Sequence, residues 1–384
     1  MKFSVIGPTH PFRGGISHYT SLLVRTLRTR HDVQFISYSR QYPSWLYPGA
    51  TDRDPSTVPA FEEQIDVRFD ALSLWQWWKI SGQIGQNRPD LVILPWSAVY
   101  WSPFYGTFLL GLSRFKTIRV LFICHNVREH ESSFLKSAIS KMALSHGHAY
   151  VTHSEWDRKN LLSWLGKVRE PQVKACVHPL YQPFSGRRLN KEEARALLGI
   201  KEERVLLFFG FIREYKGLEY LLRSIPLLLR EIPIHLIIAG EVWGNPTPYT
   251  ELIRELRIGS YVSFFNRYVP NEEVSIFFDA ADLVTIPYVS ATQSGVVQLA
   301  FAFNKPVVVG NVGGLSEAVE DGKTGYLIPP RSPEAIAQAV VNFYLSGRAP
   351  EMVMAIQEMR SRDSWITLAG AIEELAASPI SCSW

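Results

Sequence analysis

The chain has 384 residues and only three cysteines, Cys124, Cys176 and Cys382. They are odd in number and widely spaced, and no CxxC pair occurs, so neither a disulfide framework nor a cysteine-held zinc site is supported. A reducing cytoplasm is the simpler setting. Charge of one sign is also scarce: forty Lys and Arg against thirty-six Asp and Glu leave a net charge of +4. That balance is too weak to argue for nucleic acid, yet it suits anionic phosphates or an anionic membrane surface as partners. The apolar run at the N-terminus, Phe3 to Ile6, is too short for the core of a signal peptide. One longer stretch lacks charge, Leu91 to Ser113, but Pro95, Pro103, Gly106 and Gly111 interrupt it. It reads as a strand, a loop and the start of a helix rather than a membrane span. No internal repeat and no low-complexity tract is present.

What is there is an ordinary globular balance, 46% apolar and 20% charged. The length favours two domains. Short β-rich runs alternate with helical patterns. KFSVIG is followed by a glycine loop and a helix with Ile16, Tyr19, Leu22, Leu23 and Leu27 on one face; DVQFISY, LVILPW, RVLFIC and AYVTHS come next as strands. The rhythm breaks at CVHPLYQPFSGRR, a linker by its prolines and glycine, and restarts with RVLLFFG, HLIIAGE, YVSFFNR, LVTIPY and PVVVGN. Two α/β, doubly wound, Rossmann-like domains are expected, residues 1–178 and 179–362, with a helical tail from about 363 to 384. Such a pair fits binding proteins, epimerases and transferases alike, so function has to come from the sites.

Ligands of doubly wound folds sit at the carboxyl ends of the strands. Gly14-Gly15 follow the first strand, either as an anion cradle or as a plain tight turn. In GFIREYKG, Arg213 and Lys216 stand at a helix start, where cations oppose the helix dipole, so a bound diphosphate is expected there. Gln293, Ser294, Gly295 and Val296 open an apolar helix and form a second cradle of the same kind. Glu317, beyond Gly313-Gly314, is either a ligand or an acid that complements a helix dipole. Arg267 and Tyr268 in FNRYVP are either base contacts or surface. In ICHNVREHE, His125 is the polar residue best placed at a strand end. A zinc site from His125, His130 and Glu129 or Glu131 fits no helical metal spacing. Trp75, Trp77 and Trp78 are either core or an interfacial anchor.

Taken together these loops resemble the large retaining glycosyltransferase family 4, with the GT-B fold of two Rossmann-like domains facing across a cleft. The resemblance covers nearly the whole chain and is strongest from Gly210 to Pro330, through GFIREYKGLEYLL, AADLVTIPY and SGVVQLAFAFNKPVVVGNVGGLSEAVEDGKTGYLIPP. GGIS, CHN, VTHSEWDRKNLL and the late Ser364-Trp365 add to it. The resemblance implies a nucleoside-diphosphate sugar donor held mainly by the second domain, with Arg213 and Lys216 on the diphosphate, Gly15 near the donor phosphate and His125 near the donor sugar. It implies no metal and no cofactor, retention of configuration by front-face attack, domain closure, and a tail that crosses back to the first domain. The acceptor is expected to be a glycan or a lipid-linked glycan of surface polysaccharide or glycolipid synthesis. The expected setting is cytoplasmic, with peripheral contact at the inner face of the plasma membrane left open. In two places the sequence departs from the pattern. The paired glutamates ahead of Lys305-Pro306 fall on Ala291 and Leu299, and the arginine that often follows the glycine is replaced by Phe211, with Arg213 two residues later. A non-catalytic, sugar-nucleotide-binding partner subunit is the competing reading.

Overall fold

The computed structural model describes residues 1–43, 47, 49, 51–61, 63–127, 134–166, 172–181, 188–362 and 364–378. Glu129, His130, Glu131 and Cys382 lie outside the described residues. The chain divides into two compact units. The first comprises Met1–Asp54, Phe61–Val177 and Ser364–Trp384; the second comprises Pro55–Ala60 and His178–Asp363.

In the first unit seven strands form one parallel sheet: β1 (Lys2–Ile6), β2 (Asp32–Arg40), β3 (Val67–Asp70), β4 (Leu91–Trp96), β5 (Arg119–Cys124), β6 (Ala149–Thr152) and β7 (Val173–Ala175). Their order is β3-β2-β1-β4-β5-β6-β7. The helices are α1 (Gly15–Arg28), α2 (Leu74–Asn87), α3 (Ser102–Leu112), α4 (Phe134–Leu144), α5 (Glu155–Leu165) and, from the far end of the chain, α13 (Trp365–Ala377). β4 is buried along its whole length, as a parallel strand covered on both faces must be. Serine caps recur where helices begin: the Ser73, Ser154 and Ser364 hydroxyls accept backbone N–H groups of the first turns of α2, α5 and α13.

The uncharged stretch 91–113 is strand β4, a 3-10 turn and α3, and among the described residues no helix is long and apolar enough to cross a membrane. The tail helix α13 packs on α1. Glu373 accepts from His31 Nε2 at 2.8 Å, and the Arg119 guanidinium donates to the carbonyls of Leu375, Ala376 and Ser378.

The second unit has six parallel strands in the order β10-β9-β8-β11-β12-β13. They are β8 (Val205–Phe209), β9 (His235–Ala239), β10 (Val262–Phe265), β11 (Leu283–Ile286), β12 (Val307–Gly310) and β13 (Gly325–Ile328). Around them lie α6 (Lys191–Leu197), α7 (Leu218–Leu228), α8 (Thr247–Glu255), α9 (Val274–Ala280), α10 (Gly295–Ala302), α11 (Pro333–Leu345) and α12 (Ala349–Arg362). At the amino ends of these strands Asp282 ties several elements together. Its carboxylate accepts from Lys191 at 2.5 Å and Arg195 at 2.9 Å on α6, from the Val205 N–H at 2.8 Å, and from the Tyr344 hydroxyl of α11 at 3.1 Å. Residues 55–60 join this unit although they are early in the chain. The Thr57 N–H and hydroxyl donate to Glu272, and the Asn271 N–H donates to the Ser56 hydroxyl.

The tryptophan cluster divides. Trp77 is fully buried, edge-on to Phe69 (4.8 Å) and Tyr105 (5.5 Å), and its Nε1 donates to the Ala71 carbonyl at 2.9 Å. Trp75 is 71% exposed. We therefore expect Trp77→Ala to cost about 3–5 kcal/mol in a denaturant titration and Trp75→Ala less than about 0.5 kcal/mol.

Candidate functional site

In each sheet the strand order reverses once, between β1 and β4 in the first unit and between β8 and β11 in the second. Loops leaving the carboxyl ends of two such strands diverge and leave a crevice, the usual place for a ligand. Gly14 and Gly15 follow β1, and Arg213, Lys216 and Gln293–Val296 follow β8 and β11, at these two points; His125 follows the neighbouring β5 and Glu317 follows β12.

In the second unit the loop after β8 runs through Gly210 to a 3-10 turn, Glu214–Lys216, and only then enters α7. Arg213 and Lys216 therefore belong to a tight turn ahead of the helix rather than to the helix itself. Gly217 (φ 70°) ends the turn, and a Cβ there would stand 2.1 Å from the Pro287 carbonyl oxygen, so only glycine lets the turn lie against the β11 loop. The two loops are joined by the Val289 N–H, which donates to the Tyr215 carbonyl at 2.8 Å.

This turn places Lys216 inside. It is only 9% exposed, and its Nζ lies 5.2 Å from the centre of the Tyr288 ring. Burial holds its pKa below the usual lysine value, and the nearby Arg213 lowers it further against an opposing contribution from Tyr215. Among the described residues no carboxylate pairs with it. The Arg213 guanidinium rests against the rings of Tyr215 (5.3 Å) and Trp243 (5.5 Å), within cation–π range. A Cβ on Gly210 would stand 3.7 Å from Lys216 Nζ and 3.4 Å from a Val296 methyl, so the ammonium lies across Gly210 from the first turn of α10. Ser294 caps that helix, its hydroxyl accepting the Val296 N–H at 3.2 Å. Tyr288 lies beside Ser294 and its hydroxyl is pushed up to about 12 by burial.

Lys216, Arg213, Ser294, Gly295 and Val296 are thus gathered in one place, with Gln293 half-buried just before them. Glu317 is exposed on the 3-10 turn Gly313–Ala318 after β12. Ala291 and Leu299 are both buried. Sequence reasoning missed Tyr181, Trp243 and Tyr288. Trp243 and Tyr288 come just after strands β9 and β11, a positional signal that was available; Tyr181 sits in the aperiodic linker, where no pattern marks it. Tyr181 lies against Gly295, where an added Cβ would be 3.3 Å from its ring, and its ring is 5.3 Å from that of His178.

In the first unit Gly14 has φ 108° and opens α1, with nothing within 4 Å of a Cβ built on it, and Gly15 is exposed as the first residue of α1. His125 follows β5, is 5% exposed, and anchors its N–H on the Trp96 carbonyl at 2.8 Å. Its ring meets Tyr19 of α1 edge-on at 4.6 Å. Tyr19 also meets His153, at the end of β6, and Trp365, at the start of α13, with centroids at 5.2 and 5.0 Å. His153 Nδ1 lies 2.9 Å from the Cys176 carbonyl, so that nitrogen carries the proton. His153, Tyr19 and Trp365 carry no site signal of their own in the sequence, although Ser364-Trp365 stands out as a motif.

Two parallel sheets of this kind, each with a loop-framed crevice, define the GT-B class of fold. The fold of sucrose-phosphate synthase from Thermosynechococcus elongatus matches 97% of this chain and 98% of its own at a TM-score of 0.73 and 17% identity. Anabaena HepE, solved in complex with UDP-glucose, matches 99% and 100% at a TM-score of 0.74 and 16% identity. Residues 203–346, which lie in the second unit, match the family Glycosyl transferases group 1. Among curated proteins the D-inositol 3-phosphate glycosyltransferase of Corynebacterium diphtheriae is 32% identical over 198 residues, covering 50% of this chain and 46% of its own. The enzyme of the same name from Corynebacterium urealyticum is 36% identical over 199 residues, covering 49% and 46%. The chain spans about half the length of these relatives.

His178 provides a pH test of the second unit. It is buried, and desolvation holds its pKa at about 4, well below the ordinary histidine value of 6.5. The unfolded chain takes up this proton before the folded one does. Its stabilising contribution is therefore complete above pH 6.5 and is lost as pH falls toward 4, by up to about 1.4 kcal/mol per pH unit. The fall in thermal stability across that window is expected to be steeper for wild type than for His178→Asn.

Proposed function

We propose that this protein is a glycosyltransferase that moves a sugar from a nucleoside-diphosphate sugar to a glycan or lipid-linked acceptor. The observation that carries this reading is the buried Lys216 ammonium beside Arg213, facing the first turn of α10 with no carboxylate paired to it among the described residues. Two cations forced together in a desolvated turn repel one another, and a diphosphate relieves that repulsion. The Ser294-capped start of α10 offers backbone N–H groups to the same anion.

In the proposed reaction the bond between the anomeric carbon and the diphosphate oxygen breaks, and the acceptor oxygen bonds to the same carbon. The negative charge that grows on the leaving diphosphate is stabilised by Lys216 and Arg213, which is why no metal is needed in this reading. The sugar passes through an oxocarbenium-like state, with retention by front-face attack. Gly15 and His125 in the first unit are assigned to the donor phosphate and the donor sugar on the strength of the family resemblance. A place in a family 4 subgroup without the paired glutamates is part of this proposal, with Ala291 and Leu299 at those positions, and those same residues favour the competing reading of a sugar-nucleotide binder without turnover.

Thermal shift against UDP, GDP, ADP, CMP and dTDP, with and without magnesium, tests the donor site. One nucleotide at ~100 times its dissociation constant is expected to add about 2.7 kcal/mol without metal. Lys216→Ala is expected to abolish that shift and to lower sugar transfer by roughly a hundredfold or more while leaving the apo fold intact. A shift in wild type with no transfer to any glycan or lipid acceptor selects the non-catalytic reading, and no shift with any nucleotide refutes both.

Peripheral contact with an anionic membrane is proposed for the α2–α3 face. Leu74, Trp75 and Leu110 are exposed there, and the Arg114 guanidinium lies 4.7 Å above the Trp78 ring. Exposed tryptophan and leucine flanked by cations suit a lipid headgroup region. In flotation with phosphatidylglycerol vesicles the wild type is expected to rise with the lipid and Trp75→Ala/Leu110→Ala to remain below. Wild type remaining below refutes the assignment.

A further inference from the structure

The second unit has a cavity of about 390 Å³ at the amino ends of β8, β11 and β12, the sheet edge opposite to the Lys216 turn. Lys191, Arg204, Asp282, Asn304, Lys305 and Tyr344 supply its polar lining, and Phe343 an apolar side. The charges do not balance locally. The Asp282 carboxylate is already engaged by Lys191, Arg195, the Val205 N–H and the Tyr344 hydroxyl. Glu203, the other lining acid, is exposed. Lys305 feels the carboxylates of Asp282 and of Asp279, but the first is engaged by Lys191 and Arg195 and the second by Arg188, so among the described residues neither Arg204 nor Lys305 forms an ion pair at the cavity. Lys305 Nζ donates instead to the Ala281 carbonyl at 2.7 Å, and Arg204 lies over the Tyr344 ring at 5.8 Å.

Lys305 is partly desolvated, which with the neighbouring Lys191 brings its pKa down to about 8. One acceptor in the lining is also unspent: Asn304 Oδ1 is enclosed and has no hydrogen-bond partner among the described residues. The backbone of Asn304 is ordinary for its place, a left-handed cap (φ 56°) just beyond α10, so the side chain and not the backbone needs an explanation. A buried acceptor without a donor marks a place for a ligand or an ordered water.

We propose that this cavity binds a small anion that also carries hydroxyl groups, of the sugar-phosphate class. Its phosphate sits against Arg204 and Lys305, and a hydroxyl donates to Asn304 Oδ1. The volume falls within the range of small-molecule sites. The site is separate from the donor site, and α10 connects them: its first turn frames the Lys216 crevice and its far end delivers Asn304 and Lys305 to the cavity.

Isothermal titration with glucose 6-phosphate and with inorganic phosphate, on the full chain saturated with the nucleotide found by thermal shift, reads this site alone. Titrating the Lys216→Ala protein without nucleotide provides a second measurement that does not depend on the donor reading. Glucose 6-phosphate is expected to bind in both. Arg204→Ala should weaken it by roughly tenfold or more, as loss of a charge-assisted contact does. Asn304→Gly, which keeps the left-handed backbone, should weaken glucose 6-phosphate but leave inorganic phosphate unchanged. Absence of binding in both proteins overturns the proposal, as does binding that neither Arg204→Ala nor Asn304→Gly alters. Binding that Lys216→Ala abolishes assigns the sugar phosphate to the donor crevice and also overturns it.

Discussion

Every strand of the two sheets runs parallel to its neighbours, and the rest of the molecule depends on that constraint. A parallel strand cannot turn back on itself; it must return through a helix, and the strands end up buried on both faces. All carboxyl-end loops of a sheet then emerge on one edge. Where the strand order reverses, two of these loops part and leave a crevice without any further device. The glycine loop in the first sheet and the Gly210–Gly217 and Tyr288–Val296 loops in the second arise from this geometry, and His125 follows β5, the next strand along from β4.

Within the second crevice the dominant effect is desolvation. An exposed Lys and Arg three positions apart would repel each other weakly through water. Here Gly217 lets the 3-10 turn press against the Pro287 carbonyl, and Lys216 is drawn in against Tyr288. The same repulsion is then felt at lower dielectric and is far larger. Aromatic faces pack against both cations, Tyr215 and Trp243 against Arg213 and Tyr288 against Lys216. The opposite edge of the sheet solves the reverse problem. Asp282 is a half-buried charge there, and it is over-compensated by Lys191 and Arg195, which leaves the neighbouring cavity positive.

In the first unit a helix late in the sequence packs beside strand ends that come early in it. Trp365 reaches the carboxyl edge of the first sheet because α13 packs on α1, and through Tyr19 it joins the packing of His125 and His153. Arg119 secures the end of that helix by donating to its last carbonyls, the groups that lack partners inside any helix.

Most of this was legible in the sequence. Ten strands announced themselves as apolar runs, and Arg213, Lys216, Ser294 and His125 stood out because each lies in the loop just past a strand's carboxyl end. The three strands that escaped, β3, β7 and β13, are all sheet edges. An edge strand is short and only half covered, so it has no continuous apolar run to show. The linker was placed by its prolines, whereas residues 55–60 gave no sign of joining the second unit, because their attachment rests on a few polar contacts to Asn271 and Glu272. The sequence alone therefore determined the two parallel sheets, their order along the chain and the loops at the strands' carboxyl ends, since periodicity and strand-end position are local properties. Only the tertiary structure decided that Lys216 is buried, that Trp77 and Trp75 have opposite fates, and that Asp282 gathers α6, β8 and α11. Each of these depends on which distant segments exclude water from a given side chain, and burial is a property of the packed chain that no local pattern encodes.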